Sequence, residues 1–260
     1  MDLNKYFGNS INVIKSLITG KSISSLKSLY STQYPPTKFL KPQHSKIHIQ
    51  CIMSGFPRAG THWIRNVIEK STGRETYDLH YKRPSHLNKD VLLIKIHARN
   101  KFIAHLKALW LLPRFDFGGK YIYVYRDPRD AIISLYEMYK KIKAIDDLDP
   151  EHFLNIYDPI GQYSWEINRW VVPNHKDVLL VKFENLKLNS LEEFPRIFRF
   201  LCLDFPIAVE SIGKLVATTD AKKRPRGTAY GWKNASIDYK SIIDTVNSRL
   251  EREIKMLGYE

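Results

Sequence analysis

Residues 46–73 read KIHIQCIMSGFPRAGTHWIRNVIEKSTG, and this stretch decides the fold class. Lys46 to Met53 is predicted to form a strand, and a loop of small residues, Gly55-Phe56-Pro57-Arg58-Ala59-Gly60-Thr61, follows it. From Thr61 to Ser71 apolar residues recur at helical spacing, and Gly73 is suited to stop the helix. A strand, a glycine-containing loop and a helix in this order are typical of the first unit of a parallel sheet.

Strand and helix patterns continue to alternate along the rest of the chain. Apolar runs at Val91–Ile96, Tyr121–Tyr125 and Val178–Phe183 predict buried strands. Helices are predicted at 127–141, where Asp127-Pro128 supplies the N-cap and first position, and at 163–172, 191–203, 207–216 and 238–257. The alternation predicts an α/β three-layer sandwich with a central, mainly parallel sheet.

Two connecting segments stand out by their charge. Residues 146–159 are acidic and are predicted to form a loop, a candidate lid, whereas residues 222–234 form a basic loop. Segments 74–89, 101–119 and 143–159 lie between the motifs described below, and we expect them to shape a substrate pocket.

The chain is divided into an N-terminal extension, residues 1–45, and a domain, residues 46–260. The extension is rich in Lys and Ser, contains a single acid, Asp2, and has apolar residues at helical spacing from Ile11 to Ile18. Such a segment suits a peripheral membrane helix or a targeting segment. We favour a helix packed on the domain, followed by a Pro35-Pro36 linker.

The composition is that of a globular domain with an excess of positive charge. Of the 260 residues, 43% are hydrophobic and 26% charged, and the formal net charge is +14. A positive surface concentrates anions, so nucleotides, nucleic acid, anionic lipid and acidic sugars are candidate partners.

Two cysteines, Cys51 and Cys202, lie in apolar runs without metal-type spacing, so we expect buried thiols in a reducing compartment. The sequence contains no apolar run of bilayer length and no secretory-signal pattern. We therefore expect a cytoplasmic location.

The loop from Gly55 to Thr61 has the ingredients of a phosphate cradle: glycines for unusual backbone angles, N–H groups, and a helix N-terminus behind them. A nucleoside-triphosphatase loop would carry Lys directly after the second glycine. Here Thr61 follows Gly60, and the cation, Arg58, lies inside the loop. An ordinary strand-to-helix turn is the alternative.

Lys95 and His97 are two residues apart at a strand end, so both side chains leave the same side of the sheet at its ligand-binding edge. His is the usual general base near neutral pH, and Lys supplies charge for a departing phosphate oxygen. A surface Lys-x-His at a strand terminus is the alternative.

Arg126 ends another strand, and Ser134 follows on the next helix. Arg and a hydroxyl suit a phosphate monoester, whereas the alternative is an ion pair between Arg126 and Asp130 at the helix start. The basic loop contains Lys222-Lys223-Arg224-Pro225-Arg226-Gly227 and Gly231-Trp232-Lys233-Asn234, which suit either a solvated surface or an ordered phosphate-covering loop.

Taken together over residues 46–260, these segments resemble the sulfotransferase family that uses 3′-phosphoadenylyl sulfate (PAPS). Phe56 to Trp63 is similar to the family's Tyr-Pro-Lys-Ser-Gly-Thr-Thr-Trp, and Lys95-Ile96-His97 to its Lys-Thr-His. The family's 3′-phosphate element resembles Arg126 to Asp130 with Ser134. The strand that ends in its Tyr-Glu-Asp-Leu resembles Val178 to Leu186. Part of its closing loop resembles Arg226-Gly227 with Trp232-Lys233-Asn234.

The resemblance implies a P-loop-like phosphosulfate-binding loop and sulfuryl transfer from PAPS to a hydroxyl or amine, with adenosine 3′,5′-bisphosphate (PAP) as product and no metal. It makes His97 the general base, with Lys95 and Arg58 stabilising charge on the bridging oxygen. Amides of residues 59–62 would hold the phosphosulfate. Trp63 and Phe183 would flank the adenine, and the 3′-phosphate would be bound by Arg126, Ser134 and the Arg226-Gly227 loop. The full set of implied donor-binding residues is Arg58, Ala59, Gly60, Thr61, His62, Trp63, Arg126, Ser134, Phe183, Arg224, Arg226 and Gly227.

Four departures from the family pattern bear on the chemistry of the site. Arg58 replaces a Lys, and a guanidinium cannot give up a proton near neutral pH. His62 replaces a Thr, so it could bond the phosphosulfate or pack. Phe183 replaces a Tyr, so a hydroxyl contact near adenine is lost. Pro225 stands where an Arg is usual, which leaves Arg224 and Arg226 as alternatives for one role.

Two other functions compete with sulfuryl transfer. A Mg²⁺-dependent nucleotide phosphotransferase would need a loop hydroxyl and a strand-end acid, but the strand-end residue is Arg126. A non-catalytic binder of nucleic acid or acidic glycans would rely on the net positive charge. Within the sulfotransferase interpretation, the acceptor is a small molecule or saccharide, and the basic surplus favours an anionic or sugar-like one.

Overall fold

A parallel sheet of five strands forms the frame of the domain. The computed structural model describes residues 47–74, 76–78, 90–96, 115–143, 148–203, 214 and 229–260. The strands are β1 (Ile47–Gly55), β2 (Thr76–Asp78), β3 (Asp90–Lys95), β4 (Phe115–Tyr125) and β5 (Val178–Lys182). They lie in the order β2-β3-β1-β4-β5, and each neighbouring pair is parallel. The predicted extension, residues 1–45, lies outside the described residues.

Helices follow the strands near 61–71, 127–141, 163–172 and 191–203, as the sequence patterns predict. The helix predicted at 207–216 lies, except for Lys214, outside the described residues. The described helices are α1 (Thr61–Thr72), α2 (Pro128–Lys143), α3 (Pro150–Tyr157), α4 (Pro159–Trp170), α5 (Phe183–Leu188), α6 (Ser190–Phe200), α7 (Lys240–Arg249) and α8 (Glu251–Met256), with 3₁₀ turns at Gly231–Asn234 and Ile237–Tyr239. Gly73 ends α1 with a φ of 64°, and Asp127 caps α2 by accepting a 3.0 Å hydrogen bond from the Arg129 amide. None of these helices is long and apolar enough to cross a membrane.

The core lies on both faces of the sheet because successive side chains of a strand point to opposite sides. On β4, Ile122 and Val124 pack in one cluster with Ile64 of α1. Tyr123, between them, packs in the other cluster with Tyr163 of α4. Helices therefore cover both faces, and the predicted α/β fold with a parallel sheet is confirmed.

The loop predicted for the acidic segment 146–159 is wrong where the structure describes it. Residues 150–157 form α3 rather than a loop, because Asp149 accepts a 2.7 Å hydrogen bond from the His152 amide and Pro150 occupies the first helical position. Phe153 and Leu154 of this helix are buried in the core. The segment 144–147 lies outside the described residues.

Two smaller predictions also need correction. The helix predicted at 238–257 is two helices, α7 and α8, which meet at Leu250, where φ is −117°. Cys51 is buried as expected, and burial raises the pKa of its thiol to about 12. Cys202 is exposed, because α6 ends at Phe200 and the cysteine falls in the following turn.

The parallel sheet gathers the site residues because all five strands end at the same edge. Gly55 ends β1, Asp78 ends β2, and Lys95 ends β3. Arg126 follows β4, and Phe183 follows β5 as the first residue of α5.

Candidate active site at the carboxyl edge of the sheet

The loop between β1 and α1 lies close to its neighbours because it contains two glycines. A Cβ at Gly55 would lie 2.5 Å from the Val124 carbonyl oxygen, and one at Gly60 would lie 2.5 Å from Cδ2 of Phe183. Gly60 also has a φ of 96°, which L side chains rarely adopt. A glycine is therefore needed at position 60 for two reasons: it adopts this backbone conformation, and it leaves room for the Phe183 ring.

The main-chain N–H groups of the loop either bond within the loop or lie at the start of α1. The Ala59 N–H donates to the Phe56 carbonyl over 3.0 Å and closes a turn inside the loop. Gly60 is the N-cap residue of α1, and Thr61 and His62 are its first two residues. The first N–H groups of a helix lack intrahelical partners, and the helix dipole favours anions at this end.

Arg58 joins the loop to α2. It has a φ of 74°, and its Nε donates to Oγ of Ser134 over 3.0 Å. Its carbonyl oxygen accepts a hydrogen bond from Nη1 of Arg126 over 3.3 Å. The structure thus brings together three residues that the sequence predicts for donor binding, Arg58, Ser134 and Arg126.

Arg126 is buried at the end of β4 and has several partners. Its Nη2 lies 3.6 Å from Oδ2 of Asp130, so the helix-start ion pair foreseen as an alternative is present. The guanidinium also lies over the Phe183 ring, 4.5 Å from its centroid. The ion pair and the contact with the loop coexist, since one guanidinium carries five N–H donors.

Trp63 and Phe183, the predicted adenine neighbours, lie on adjacent elements. Their ring centroids are 6.5 Å apart in an edge-to-face arrangement. The ring centroids of Trp63 and Phe194 of α6 are 5.6 Å apart, also edge-to-face. Phe183 is only 4% exposed, because it packs against Gly60 and Arg126. Nζ of Lys187 lies 5.1 Å from the Trp63 ring centroid.

Lys95 is buried and paired with an acid that sequence reasoning missed. Its Nζ donates to Oδ2 of Asp78 over 3.0 Å and lies 2.8 Å from Nε2 of His62. Burial lowers the pKa of Lys95 to about 8, although the Asp78 carboxylate acts in the opposite direction. The pKa of His62 is lowered to about 4, mainly because the ring is partly buried and also because the Lys95 ammonium lies next to it.

Arg65 extends this cluster on α1. Its guanidinium donates to Asp78 over 3.2 Å and to Glu69 over 3.3 Å, and its Nε donates to the Thr76 hydroxyl over 2.8 Å. Asp78 therefore accepts from two cations and is only 2% exposed. Hydrogen bonds to charged groups in such sites are worth about 1.5–3 kcal/mol each.

Two acids at the start of α2 hold the last part of the basic loop, at Gly231 and Trp232. Asp130 accepts hydrogen bonds from the main-chain N–H groups of Gly231 over 3.2 Å and of Trp232 over 2.7 Å. Asp127 accepts from Nε1 of Trp232 over 3.0 Å, and the Arg129 guanidinium stacks 3.8 Å above the Trp232 ring. Burial raises the pKa of Asp130.

A further buried acid, Glu184 of α5, supports the end of β4. It accepts from the Asp127 amide over 3.0 Å and from the Tyr259 hydroxyl over 2.7 Å. The Tyr163 hydroxyl donates to the Arg126 carbonyl over 2.6 Å. The main chain on either side of Arg126 is therefore held by side chains from α4 and α5.

The predicted site residues fall into two groups. The structure brings together at one edge Arg58, Ala59, Gly60, Thr61, His62, Trp63, Lys95, Arg126, Ser134 and Phe183. Four lie outside the described residues: His97, Arg224, Arg226 and Gly227. Within the described part of the chain, no group of three or more His, Cys, Asp or Glu side chains is placed to hold a metal ion.

Sequence reasoning missed Asp78 and the use of Asp127 and Asp130. Asp78 has no motif around it and reaches Lys95 only through the register of β2 on β3. Asp127 and Asp130 stand inside the predicted 3′-phosphate element, but nothing local indicates that they bind Trp232.

Sequence comparison identifies relatives of this chain. Sulfotransferase 1A1 of Rattus norvegicus is 26% identical over 193 residues, covering 66% of this chain and 65% of that protein. Sulfotransferase 2A6 of Rattus norvegicus is 27% identical over 175 residues, or 58% of each chain. Cytosolic sulfotransferase 13 of Arabidopsis thaliana is 23% identical over 223 residues, covering 74% of this chain and 68% of that protein. The match thus spans about two thirds of the first relative's length.

Solved structures show the same fold. A mouse sulfotransferase complexed with PAP superposes with a TM-score of 0.52 at 18% identity, covering 80% of this chain and 86% of that chain. A sulfotransferase from Alicyclobacillus acidocaldarius superposes with a TM-score of 0.50 at 11% identity, covering 84% of this chain and 98% of that chain. Residues 48–228, more than half of the sequence, match the family described as the sulfotransferase domain, and the chain belongs to this family.

Proposed function

We propose that the protein transfers a sulfuryl group from PAPS to a hydroxyl or amine of an acceptor. The observation that carries the proposal is the pair of hydrogen bonds made by Arg58 of the loop between β1 and α1. Its side chain bonds Ser134 of α2, and its carbonyl oxygen accepts from Arg126 after β4. We call this pair of bonds the Arg58 junction. A donor with a 5′-phosphosulfate and a 3′-phosphate needs two anion sites at a fixed separation. The junction supports this because it ties the predicted sites to each other.

Donor binding follows from the chemistry of the two ends. The amides of Gly60, Thr61 and His62, at the start of α1, would hold the phosphosulfate, because the Ala59 amide already donates to Phe56. Arg126 and Ser134 would bind the 3′-phosphate, with Arg224 or Arg226 and Gly227 closing over it. The edge-to-face pair Trp63 and Phe183 would border the adenine.

Transfer needs a base on the acceptor side and positive charge on the leaving side. His97 would take the acceptor's proton as its oxygen or nitrogen attacks sulfur in line. The new bond to sulfur forms as the bond from sulfur to the bridging oxygen breaks, and the electron pair stays on that oxygen, which belongs to PAP. Arg58 and Lys95 would stabilise this charge.

The two cations are not equivalent. Arg58 keeps its protons at neutral pH and is held by Ser134. Burial lowers the pKa of Lys95 to about 8, so near neutral pH the group is still mostly an ammonium but gives up a proton more readily than an ordinary lysine. Lys95 therefore suits the place where negative charge builds.

The competing functions find less support in the described residues. A Mg²⁺-dependent phosphotransferase would use the acids beside Arg126, but Asp127 and Asp130 accept hydrogen bonds from Trp232, Arg129 and Gly231. A non-catalytic polyanion binder would rest on the net charge of +14 alone. We propose a small-molecule or saccharide acceptor, and a cytoplasmic location in view of the relative named cytosolic sulfotransferase.

Thermal stabilisation by PAP, compared with ATP plus Mg²⁺ and with heparin, tests this proposal. A ligand that binds the folded state raises its stability by mass action, by about 2.7 kcal/mol at a hundredfold excess over Kd. We expect PAP to raise Tm and ATP plus Mg²⁺ to have little effect. Strong stabilisation by ATP plus Mg²⁺ without an effect of PAP would support a phosphotransferase, and a salt-sensitive effect of heparin alone would support a polyanion binder.

A further inference from the structure

The carboxyl ends of β2 and β3 place a buried acid beside a buried cation. Asp78 and Lys95 are register partners in the parallel pair, so their side chains leave the sheet next to each other. Lys95 is 0% exposed and Asp78 is 2% exposed. The Nζ to Oδ2 distance is 3.0 Å.

We propose that Asp78 is a positioning residue for sulfuryl transfer: it keeps the Lys95 ammonium charged and fixed beside the phosphate loop. The proposal rests on the proposed function, in which Lys95 stabilises the bridging oxygen. Asp78 itself would touch neither donor nor acceptor.

Charge is the first reason that Lys95 needs Asp78. A desolvated ammonium favours its neutral form, and neighbouring cations add to this tendency. Among the described residues, the titratable and charged groups that face Lys95 are Asp78 from β2, His62 and Arg65 from α1, and Arg58 from the loop. Asp78 is the one acid among these four, so its removal would leave Lys95 facing two arginines.

Geometry is the second reason. An ammonium on a flexible four-carbon stem is directed only by its acceptors. Asp78 and Nε2 of His62 both lie within 3.0 Å of Nζ, at 3.0 and 2.8 Å. His62 is also the second residue of α1, so the ammonium is tied to the helix start that is proposed to hold the phosphosulfate. The ion pair thereby couples β2, an edge strand, to the phosphate loop.

A purely structural ion pair is the competing explanation, because breaking any buried pair costs stability. The two explanations differ in their effect on the pH dependence of the reaction. Lys95 supports transfer only while charged, so activity should fall as the pH rises through about 8, the pKa of Lys95. In Asp78→Asn this alkaline limb should move to lower pH by roughly one unit or more, the usual effect of losing an adjacent opposite charge.

The first experiment records kcat/KM for PAPS against pH in wild type, Asp78→Asn and the control Glu69→Gln. Glu69 bonds Arg65 and Thr76 of the same cluster, so its variant perturbs the network around Lys95 while keeping the Asp78 carboxylate. We expect the limb to move only in Asp78→Asn. An unmoved limb in Asp78→Asn, or an equal movement in Glu69→Gln, overturns the proposal.

A second measurement is independent of activity. In protein labelled with ¹³Cε-lysine, the Lys95 signal is assigned by its loss in Lys95→Met, and its titration midpoint is read directly. We expect a midpoint near pH 8 in wild type and a lower one in Asp78→Asn. Equal midpoints in the two proteins contradict the proposal.

Two further variants keep the test decisive. If Asp78→Asn does not fold, Asp78→Glu keeps the charge but displaces the carboxylate by one methylene, and transfer should fall by roughly tenfold while PAP still binds. In a Lys95→Met background, changing Asp78 should add no further loss of kcat. Failure of wild type to bind PAP would refute the proposed function itself, whereas normal transfer with a silent Asp78 would refute only the positioning role.

Discussion

Nε of Arg58 lies 3.0 Å from Oγ of Ser134, so the phosphate loop and α2 are joined by a direct side-chain hydrogen bond. The two residues come from different predicted elements, one for the phosphosulfate and one for the 3′-phosphate. Because the bond links the two proposed anion sites, either side chain should affect binding at both ends of the proposed donor.

Ser134→Ala should weaken PAP binding by roughly tenfold, the usual cost of losing a hydrogen bond to a charged partner. Arg58→Lys should lower affinity as well, and the double variant should lose less than the sum of the single losses. Calorimetric Kd values for the four proteins measure this coupling. Ser71→Ala on α1, whose hydroxyl donates to the Val67 carbonyl, is the control and should bind PAP as wild type does. Strictly additive losses would mean that the bond carries no binding energy.

Gly60→Ala should destabilise the domain by about 2–4 kcal/mol, because the new Cβ meets the Phe183 ring and takes up a disfavoured φ. Gly73→Ala is a matched control, since Gly73 has a φ of 64° and no atom within 4 Å of the built Cβ. Its cost should be about 1 kcal/mol. Urea unfolding of both variants separates the steric contact from the backbone strain, and equal losses would contradict the close approach.

Asp130→Asn should release the Gly231-Trp232 segment, because an amide is a weaker acceptor than a carboxylate for the two main-chain N–H donors. We expect PAP to bind roughly tenfold more weakly, while AMP, which lacks the 3′-phosphate, is affected less. The comparison by calorimetry tests whether Asp130, through this segment and its ion pair with Arg126, serves the 3′-phosphate end. Asp238→Asn, at an exposed residue that bonds Ser236, is the control. Parallel losses for PAP and AMP would argue against the assignment.

Glu166→Gln should change how stability depends on pH. Burial raises the pKa of Glu166 from 4.5 to about 7, so the folded state binds a proton that the unfolded state has released. Stability from this group is therefore present at low pH and is lost as the pH rises through about 7, by up to about 3 kcal/mol. Glutamine cannot titrate, so the Tm of the variant relative to wild type should rise between acidic and alkaline pH. Glu192→Gln, at an exposed position of α6, should show no such trend, and a flat difference for Glu166→Gln would contradict the buried titration.

His97→Ala should keep PAP affinity within about twofold and lower transfer by roughly 10²–10⁴-fold, the usual contribution of a general base. PAP calorimetry and PAPS turnover with a panel of hydroxyl and amine acceptors give the two numbers. His175→Ala, at an exposed residue before β5, is the control. Retained transfer in His97→Ala would remove the residue from the base role.

The fold was predictable because its signals are local. Apolar runs mark β3, β4 and β5, Asp127 and Pro128 mark the start of α2, and Gly73 ends α1. The errors arose where local signals conflict. The acidic composition of residues 146–159 concealed α3, although Asp149-Pro150 is a helix start of the same kind.

The part of the site that lies in contiguous motifs was predictable for a different reason. The residues from Arg58 to Trp63 and from Arg126 to Ser134 are contiguous motifs, so a single chain segment carries their meaning. Asp78 carries no such meaning, since an Asp at a strand end is commonplace. Its importance depends on a neighbour seventeen residues away in sequence, Lys95, which only strand pairing supplies.

The amino-acid sequence by itself determined that a glycine-containing loop would follow the first strand of a parallel α/β sheet, because periodicity, capping and glycine placement act within a few residues. Tertiary structure alone decided how the charges of the site are paired: Arg58 with Ser134, Lys95 with Asp78, and Asp130 with the Gly231-Trp232 segment. The physical reason is that a buried charged group needs a partner nearby in space. The packing of the chain supplies that partner, which for Lys95 is set by the register of β2 on β3.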